Sequence, residues 1–333
     1  LIEFLKSVRW DMRKPKEENR PLFSILCAFG ACFFFSLNDV TMKMFSGKYP
    51  LYELTFFRSI VALTICLAII IPLEGGYSNL RTNRPLLHFI RGSSVVVANI
   101  AFFSGIAVLP LAEATAIFFI SPLLITFFAA VFLGEKVGWF RWSALVVGLV
   151  GVMLIVKPFG IAFRWETIFP LTAALSYSLL QTLTRKIGPT EKASTMAFYI
   201  QISFMTYMGI LVFILHNGRF DIIDHPAFQF LTKAWVWPTG LDWMFIVFIG
   251  ITNAFGGYLI SQAYRLSVAG LVSPFEYSSL VLSVFWGIVI WGEYLNILTA
   301  LGIIIILVSG IIIAIREYIR NINPSLKKVL DRR

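Results

Sequence analysis

The sequence predicts an all-α polytopic membrane protein, with ten transmembrane helices in two inverted-topology repeats of five. Three observations predict it. The 333-residue chain is 58% hydrophobic and only 14% charged, with a mean hydropathy of +0.81, whereas about a quarter of a soluble domain is charged. Apolar runs of about 20 residues, each enough to cross roughly 30 Å of hydrocarbon, recur from end to end. The stretch Leu109–Pro158 returns at Ser267–Arg316, and a shift of 158 residues superposes Gly134-Glu135 on Gly292-Glu293. A β-barrel would show short alternating strands instead.

In chain order, residues 1–21 mix Leu, Ile, Phe and Trp with basic residues, as a helix lying on a cytoplasmic membrane surface would. Spans are expected at 22–45, 51–72, 86–108, 112–133 and 141–156, forming a first repeat over 22–158. A second repeat over 159–316 holds spans at 166–186, 193–215, 242–264, 270–291 and 296–316. The loop 216–241 carries Trp235 and Trp237, which suit the headgroup zone. Residues 317–333 form a basic tail. With the N-terminus in the cytoplasm, twenty Lys and Arg fall inside, five fall outside and Lys43, Arg58 and Arg91 remain within spans. That bias places both termini in the cytoplasm; a bacterial inner membrane is the expected location. The net charge of +10 therefore encodes topology rather than nucleic-acid binding. Cys27, Cys32 and Cys66 lie in apolar spans without metal or disulfide spacing and read as core residues.

Five helices per half is an odd number of crossings, so the two Gly-Glu turns face opposite sides. Inverted repeats are the architecture of many secondary carriers, with a site near the midplane between the halves. An ionisable group inside a span is costly and marks either function or a structural pair. Arg58 offers its planar fork to a carboxylate or phosphate, or pairs with Asp39 or Glu53. Arg91 contacts substrate or snorkels to the cytoplasmic interface. Asp39 and Lys43 are spaced to neutralise each other, which leaves Asn38 for the cavity. Glu276, two residues after Pro274, faces a substrate amine or couples transport to protons. Asn99 shares a face with Arg91, and Tyr177 shares one with Gln181. Asn253, Tyr258 and Tyr277 complete the polar candidates. Phe118, at the repeat position of Glu276, stacks on a planar substrate or packs in the core. Pro122 and Pro274 are expected to bend their helices, and Asn253–Gly257 to break the span 242–264.

The paired spans ending in Gly-Glu, each followed by a Gly-rich span (Gly148, Gly151; Gly302, Gly310), resemble the EamA repeat of the drug/metabolite transporter superfamily over residues 22–316. Arg91-Gly92, Leu109–Ile117, Ser121-Pro122-Leu123 and Val156-Lys157-Pro158 also resemble the G subgroup of solute carrier family 35 and its bacterial relatives. The resemblance implies a central cavity lined mainly by helices 1, 3, 4, 6, 8 and 9, and no ATPase. It implies carboxylates as one substrate option.

The expected function is secondary active or facilitative transport of a small polar metabolite, an organic anion or an amino-acid-like zwitterion, by alternating access. The alternative is a larger cationic or aromatic metabolite such as S-adenosylmethionine or riboflavin. A channel or membrane enzyme is a remote third option, since the three His form no catalytic constellation with Asp, Glu or Cys. No cofactor or metal is expected. The partners are a small-molecule metabolite and the lipid bilayer, not nucleic acid; a homodimer is an open option.

Overall fold

The computed structural model describes residues 21–134, 139–156, 164–221, 225–267 and 272–322. The leader, most of the basic tail and the turn residues Glu135 and Lys136 lie outside that set. Ten principal helices follow one another: α1 (Pro21–Phe45), α2 (Leu51–Leu73), α3 (Pro85–Ile106), α4 (Leu111–Leu133), α5 (Trp139–Val156), α6 (Ile168–Ile187), α7 (Ala193–Leu215), α8 (Asp242–Leu266), α9 (Ser278–Trp291) and α10 (Ile297–Ile322). Among the described residues there is no strand. Six of the helices, α1–α4, α7 and α8, are long and apolar enough to cross a membrane. Large apolar side chains such as Phe33, Val150, Phe213, Val289 and Ile304 stand exposed on the outside of the bundle, where only lipid tails would make them stable. The protein is an integral membrane protein.

Local chemistry sets the helix ends. Pro50, Pro85 and Pro110 stand at helix starts, where a missing N–H costs no hydrogen bond. Gly134 and Gly292 cap α4 and α9 in the left-handed region, at φ 66° and 63°, a conformation that a Cβ disfavours. The two copies of the repeat therefore end on the same device.

They also break at the same place. Helix α4 is interrupted at Phe119–Ile120, and Ser121-Pro122 starts its second segment. Before α9, the 3-10 turn Ser273–Tyr277 gives way to α-helix at Ser278. Phe119 and Tyr277 are equivalent positions of the repeat. The break expected at Asn253–Gly257 is absent: α8 runs unbroken through it. A Cβ on Gly256 would meet the Phe35 ring at 2.8 Å, so that glycine serves close packing on α1 instead. One irregularity was not expected, a π-turn at Cys66–Ile70 ahead of Pro72 in α2.

Most helix pairs come in mates, although α7 packs on α8 with no comparable α2–α3 contact. Helix α1 packs on α8 and α3 on α6; α2 packs on α8 and α3 on α7; α4 packs on α6 and α1 on α9. Exchange of helix n with helix n+5 converts each of these pairs into its mate. The pairs α5 with α10, α2 with α7 and α4 with α9 map onto themselves.

Candidate substrate cavity

A cavity of about 150 Å³ lies between α1, α2, α3, α4, α6, α7, α8 and the turn before α9. Nine of the eleven residues singled out from sequence line it: Asn38, Arg58, Arg91, Asn99, Phe118, Tyr177, Gln181, Asn253 and Glu276. The α3 contribution is a single helical face, Arg91, Val95, Ala98, Asn99 and Phe102, as spacings of three and four dictate. Helices α2 and α7 also reach the cavity, beyond the six helices expected from resemblance. Tyr258 and Tyr277 do not line it. Tyr258 accepts a hydrogen bond from Gln262 at 2.9 Å. Tyr277 packs on Phe119, with ring centroids 5.3 Å apart, in the core beneath α5 and α10.

Arg58 is fully buried. Its guanidinium donates to Asn38 Oδ1 at 3.2 Å and Asn99 Oδ1 at 3.0 Å, and lies over the rings of Phe103 and Phe204. Its Nε–H has no partner. Among the described residues no carboxylate lies within 4 Å of it. Glu53 accepts the Val236 N–H at 2.9 Å and is not its partner. Asp39 lines the same cavity and acts on Arg58 through its field. The expected Asp39–Lys43 pair does not form: Lys43 donates to Glu293 at 2.7 Å and to the Leu109 carbonyl at 3.0 Å.

Arg91 is buried and does not snorkel. It donates to Thr184 Oγ1 (2.7 Å), the Met196 carbonyl (2.8 Å) and Ser261 Oγ (3.3 Å), fastening α3 to α6, α7 and α8 at once. Next to it, Gly92 lets α3 approach α7 closely, since Ser203 lies near enough to block any Cβ.

Glu276 is buried, and its carboxylate accepts the Tyr177 hydroxyl at 2.6 Å and the Tyr264 hydroxyl. Among the described residues no cation lies within 4 Å of it. Tyr264 was missed by sequence reasoning, although it continues the α8 face marked by Asn253, Gly257 and Ile260. Gln201 also lines the cavity and accepts from Asn253 at 3.3 Å. Cys32, read as plain core, also lines the cavity.

Hydrogen bonds between the two halves bracket the cavity. At one end Lys43 meets Glu293, Glu293 accepts the Leu111 N–H at 2.8 Å, and Tyr49 donates to Asp242 at 2.6 Å. At the other, Glu74 accepts the Ser194 N–H at 2.7 Å and Gln262 Nε2 at 2.8 Å, and Thr82 donates to Glu191 at 2.6 Å. Among the described residues no three His, Cys, Asp or Glu gather as metal ligands.

A cavity with mostly apolar walls and a few buried charged groups, inside an apolar helical bundle whose first and last five helices are hydrogen-bonded to each other at both ends, fits a membrane transporter. Residues 22–157 match the EamA-like transporter family. It is 26% identical over 282 residues to an S-adenosylmethionine uptake transporter of Rickettsia bellii (strain RML369-C), covering 85% of this chain and 90% of the relative. It is 25% identical to a pseudopaline exporter of Pseudomonas aeruginosa (86% and 94% covered) and 25% identical to a riboflavin transporter of Rhizobium johnstonii (93% and 96% covered). A solved crystal structure superposes with a TM-score of 0.62 at 20% identity, over 86% of this chain and 94% of that one, which establishes likeness of fold.

Proposed function

We propose that the protein is a secondary carrier in a bacterial inner membrane, with both termini cytoplasmic. It moves a ring-bearing polar metabolite by alternating access between residues 22–158 and 159–316. The two halves are inverted repeats of five spans each. The reading is supported by the paired Gly caps, the matched breaks before Ser121 and Ser278, and the exchange symmetry of the helix packing. Rocking of one half on the other would open one set of bracketing bonds while the other holds.

The observation that carries the substrate reading is the aromatic wall. Phe102, Phe118 and Tyr177 follow one another in the cavity, with ring centroids 5.2 Å apart at each step. Stacked or tilted rings at that spacing suit a flat substrate. An organic polyanion fits less well, because Asp39 and Glu276 share the cavity with the two arginines. The larger aromatic or cationic metabolite, the alternative at sequence level, becomes the leading reading. The three named relatives differ among themselves in substrate and direction, so direction is left to experiment.

Purified protein in proteoliposomes tests this with radiolabelled S-adenosylmethionine, riboflavin and citrate. Saturable uptake and counterflow of a ring-bearing compound, without citrate uptake, is the expected result. Citrate uptake alone, or unitary conductance in a planar bilayer, would overturn it. Glu276 is the group through which protons would couple. An imposed pH gradient should drive uptake in the native protein and not in Glu276→Gln.

A further inference from the structure

Two histidines face glutamates, at opposite ends of the bundle. His88 Nε2 lies 3.9 Å from Glu191 Oε1, and His225 Nε2 lies 3.6 Å from Glu166 Oε1. The pairs differ in what they join. His225 and Glu166 both belong to residues 159–316, whereas His88 belongs to residues 22–158 and faces Glu191 across the boundary between the halves. His88 is 2% exposed, its ring lies against Tyr199 with centroids 4.4 Å apart, and neither ring nitrogen has a hydrogen-bond partner. Two orphaned nitrogens on a buried ring are a cost that calls for an explanation. At 3.9 Å the carboxylate is near enough to attract a charged ring and too far to hydrogen-bond a neutral one.

The surroundings hold both groups in place. The Thr82 hydroxyl donates to Glu191 at 2.6 Å and accepts the Arg84 N–H at 3.0 Å, which sets the carboxylate beside the first turn of α3. The linker before α3 is already fastened to the second half: Lys192 donates to the Glu74 carbonyl at 2.7 Å, Thr195 to that of Asn79 at 2.8 Å and Tyr199 to that of Leu80 at 2.9 Å. The other charged groups nearby have their own partners. Arg91, one turn along α3, is spent on Thr184, Met196 and Ser261. Arg265 of α8 donates to the Glu191 carbonyl at 3.1 Å, and Glu74 accepts from Ser194 and Gln262. Lys186 of α6 stands in the field of Arg84. Burial acts to raise the Glu191 carboxyl, but His88, Thr82 and Arg84 outweigh it and hold it below its usual value. Glu191 is therefore an anion throughout the range in which imidazoles change charge.

Building on the carrier reading above, we infer that His88 and Glu191 form a proton-operated lock between the two halves, at the end that the proposed topology places in the cytoplasm. A proton taken up by His88 makes both ring nitrogens donors. The Nε2–H then closes on Glu191 Oε1 as a charge-assisted hydrogen bond. Helix α3 of the first half is pinned to the α6–α7 turn of the second. Opening at this end has to break that bond, so acid on the cytoplasmic side holds the carrier shut there. The His225–Glu166 pair lies within one half and does not cross the moving boundary.

The test needs no substrate. Spin labels at Asn83→Cys and Thr190→Cys, both exposed and on either side of the lock, report its opening through their dipolar coupling in liposomes with the same pH on both faces. Cys27, Cys32 and Cys66 are replaced by Ala. The ratio of uncoupled to coupled spins should fall about tenfold or more between about pH 7.5 and about pH 5.5, the weight of one hydrogen bond to a charged group. His88→Gln should remove that dependence. Glu191→Gln should remove it too, which keeps the test decisive if one variant does not fold. His225→Gln should keep it. An uncoupled fraction that is present but ignores pH in the native sequence, or that still follows pH in a folded His88→Gln or Glu191→Gln protein, would overturn the lock and leave the carrier reading standing. The absence of any uncoupled fraction at every pH, with S-adenosylmethionine or riboflavin added on either face, would show that this end never opens and would remove the carrier reading itself.

Discussion

The ammonium of Lys43, near the end of α1, lies 2.7 Å from the carboxylate of Glu293, in the turn after α9. The second carboxylate oxygen of Glu293 accepts the Leu111 N–H, and Lys43 also donates to the Leu109 carbonyl. One acid therefore ties α1, α4 and α9 together across the two halves. Both side chains are mostly buried, at 11% and 19% exposed. Lys43→Gln should loosen this end of the bundle by roughly 3–5 kcal/mol, because it leaves a mostly buried carboxylate without its cation. Glu293→Gln should do the same, since its amide oxygen still accepts from Leu111. Glu293→Lys should be worse, because a lysine cannot accept that N–H, and the exchanged pair Lys43→Glu/Glu293→Lys should not recover native stability. The reactivity of a cysteine introduced into the cavity wall, read from each side of a proteoliposome, measures the loosening. Full rescue by the exchange would show that Glu293 acts through charge alone.

That pair also shows where sequence reading stops. The period and composition of the spans are local properties, and the apolar helices were legible from them. The partner of Lys43 was not. Asp39 at four residues' distance is the obvious local choice, yet the acid that meets Lys43 is 250 residues away. Arg91 was left between substrate contact and snorkelling for the same reason: five residues from a helix end allows snorkelling, and only the acceptors on three other helices explain why it stays in. Polar residues on one helix face were legible as cavity lining, as with Arg91 and Asn99. Tyr258 was not separable from Tyr264, because α8 turns one toward Gln262 and Glu74 and the other toward Glu276.

Gly302 and Gly257 should separate packing from binding. A Cβ on Gly302 would lie 2.6 Å from the Gly151 carbonyl oxygen on the facing backbone. Gly302→Ala must push α5 and α10 apart, at a cost of about 1–3 kcal/mol, and should lower the thermal unfolding midpoint. A Cβ on Gly257 meets nothing within 4 Å, although the residue lines the cavity. Gly257→Leu should keep the native midpoint and abolish ligand binding by filling the space. Scanning fluorimetry with and without ligand distinguishes the two, and a Gly257→Leu protein that still binds would place the ligand elsewhere.

Glu191 gives the bundle a defined acid sensitivity. It lies between α6 and α7. Burial acts to raise its carboxyl, and interactions with His88, 3.9 Å away, and with the Thr82 hydroxyl at 2.6 Å outweigh that and hold it below the usual 4.5. A carboxyl lowered on folding contributes stability that is complete above its unfolded value and is lost as pH falls through the folded one. The unfolding midpoint should therefore be insensitive to this group from pH 7 down to about 5, and fall below that. Glu191→Gln should flatten the acid limb. A limb unchanged in that variant would assign the acid loss to other carboxylates.

Arg91 should prove structural where Arg58 proves selective. Its guanidinium is the common donor to α6, α7 and α8. Removing one side of a buried charged network costs roughly 3–5 kcal/mol, because the partners keep their desolvation penalty without their hydrogen bonds. Arg91→Met should fall by that much, seen as a large loss of the unfolding midpoint and of folded yield. Arg91→Lys keeps the charge but offers a compact ammonium in place of a planar fork, so it should recover part of the midpoint and no more. In that variant the preference for a carboxylate-bearing ligand should stay at its native ratio, since Thr184, Met196 and Ser261 already occupy the Arg91 guanidinium. The opposite pattern, a native midpoint with a lost carboxylate preference in Arg91→Lys, would show that Arg91 itself meets the ligand.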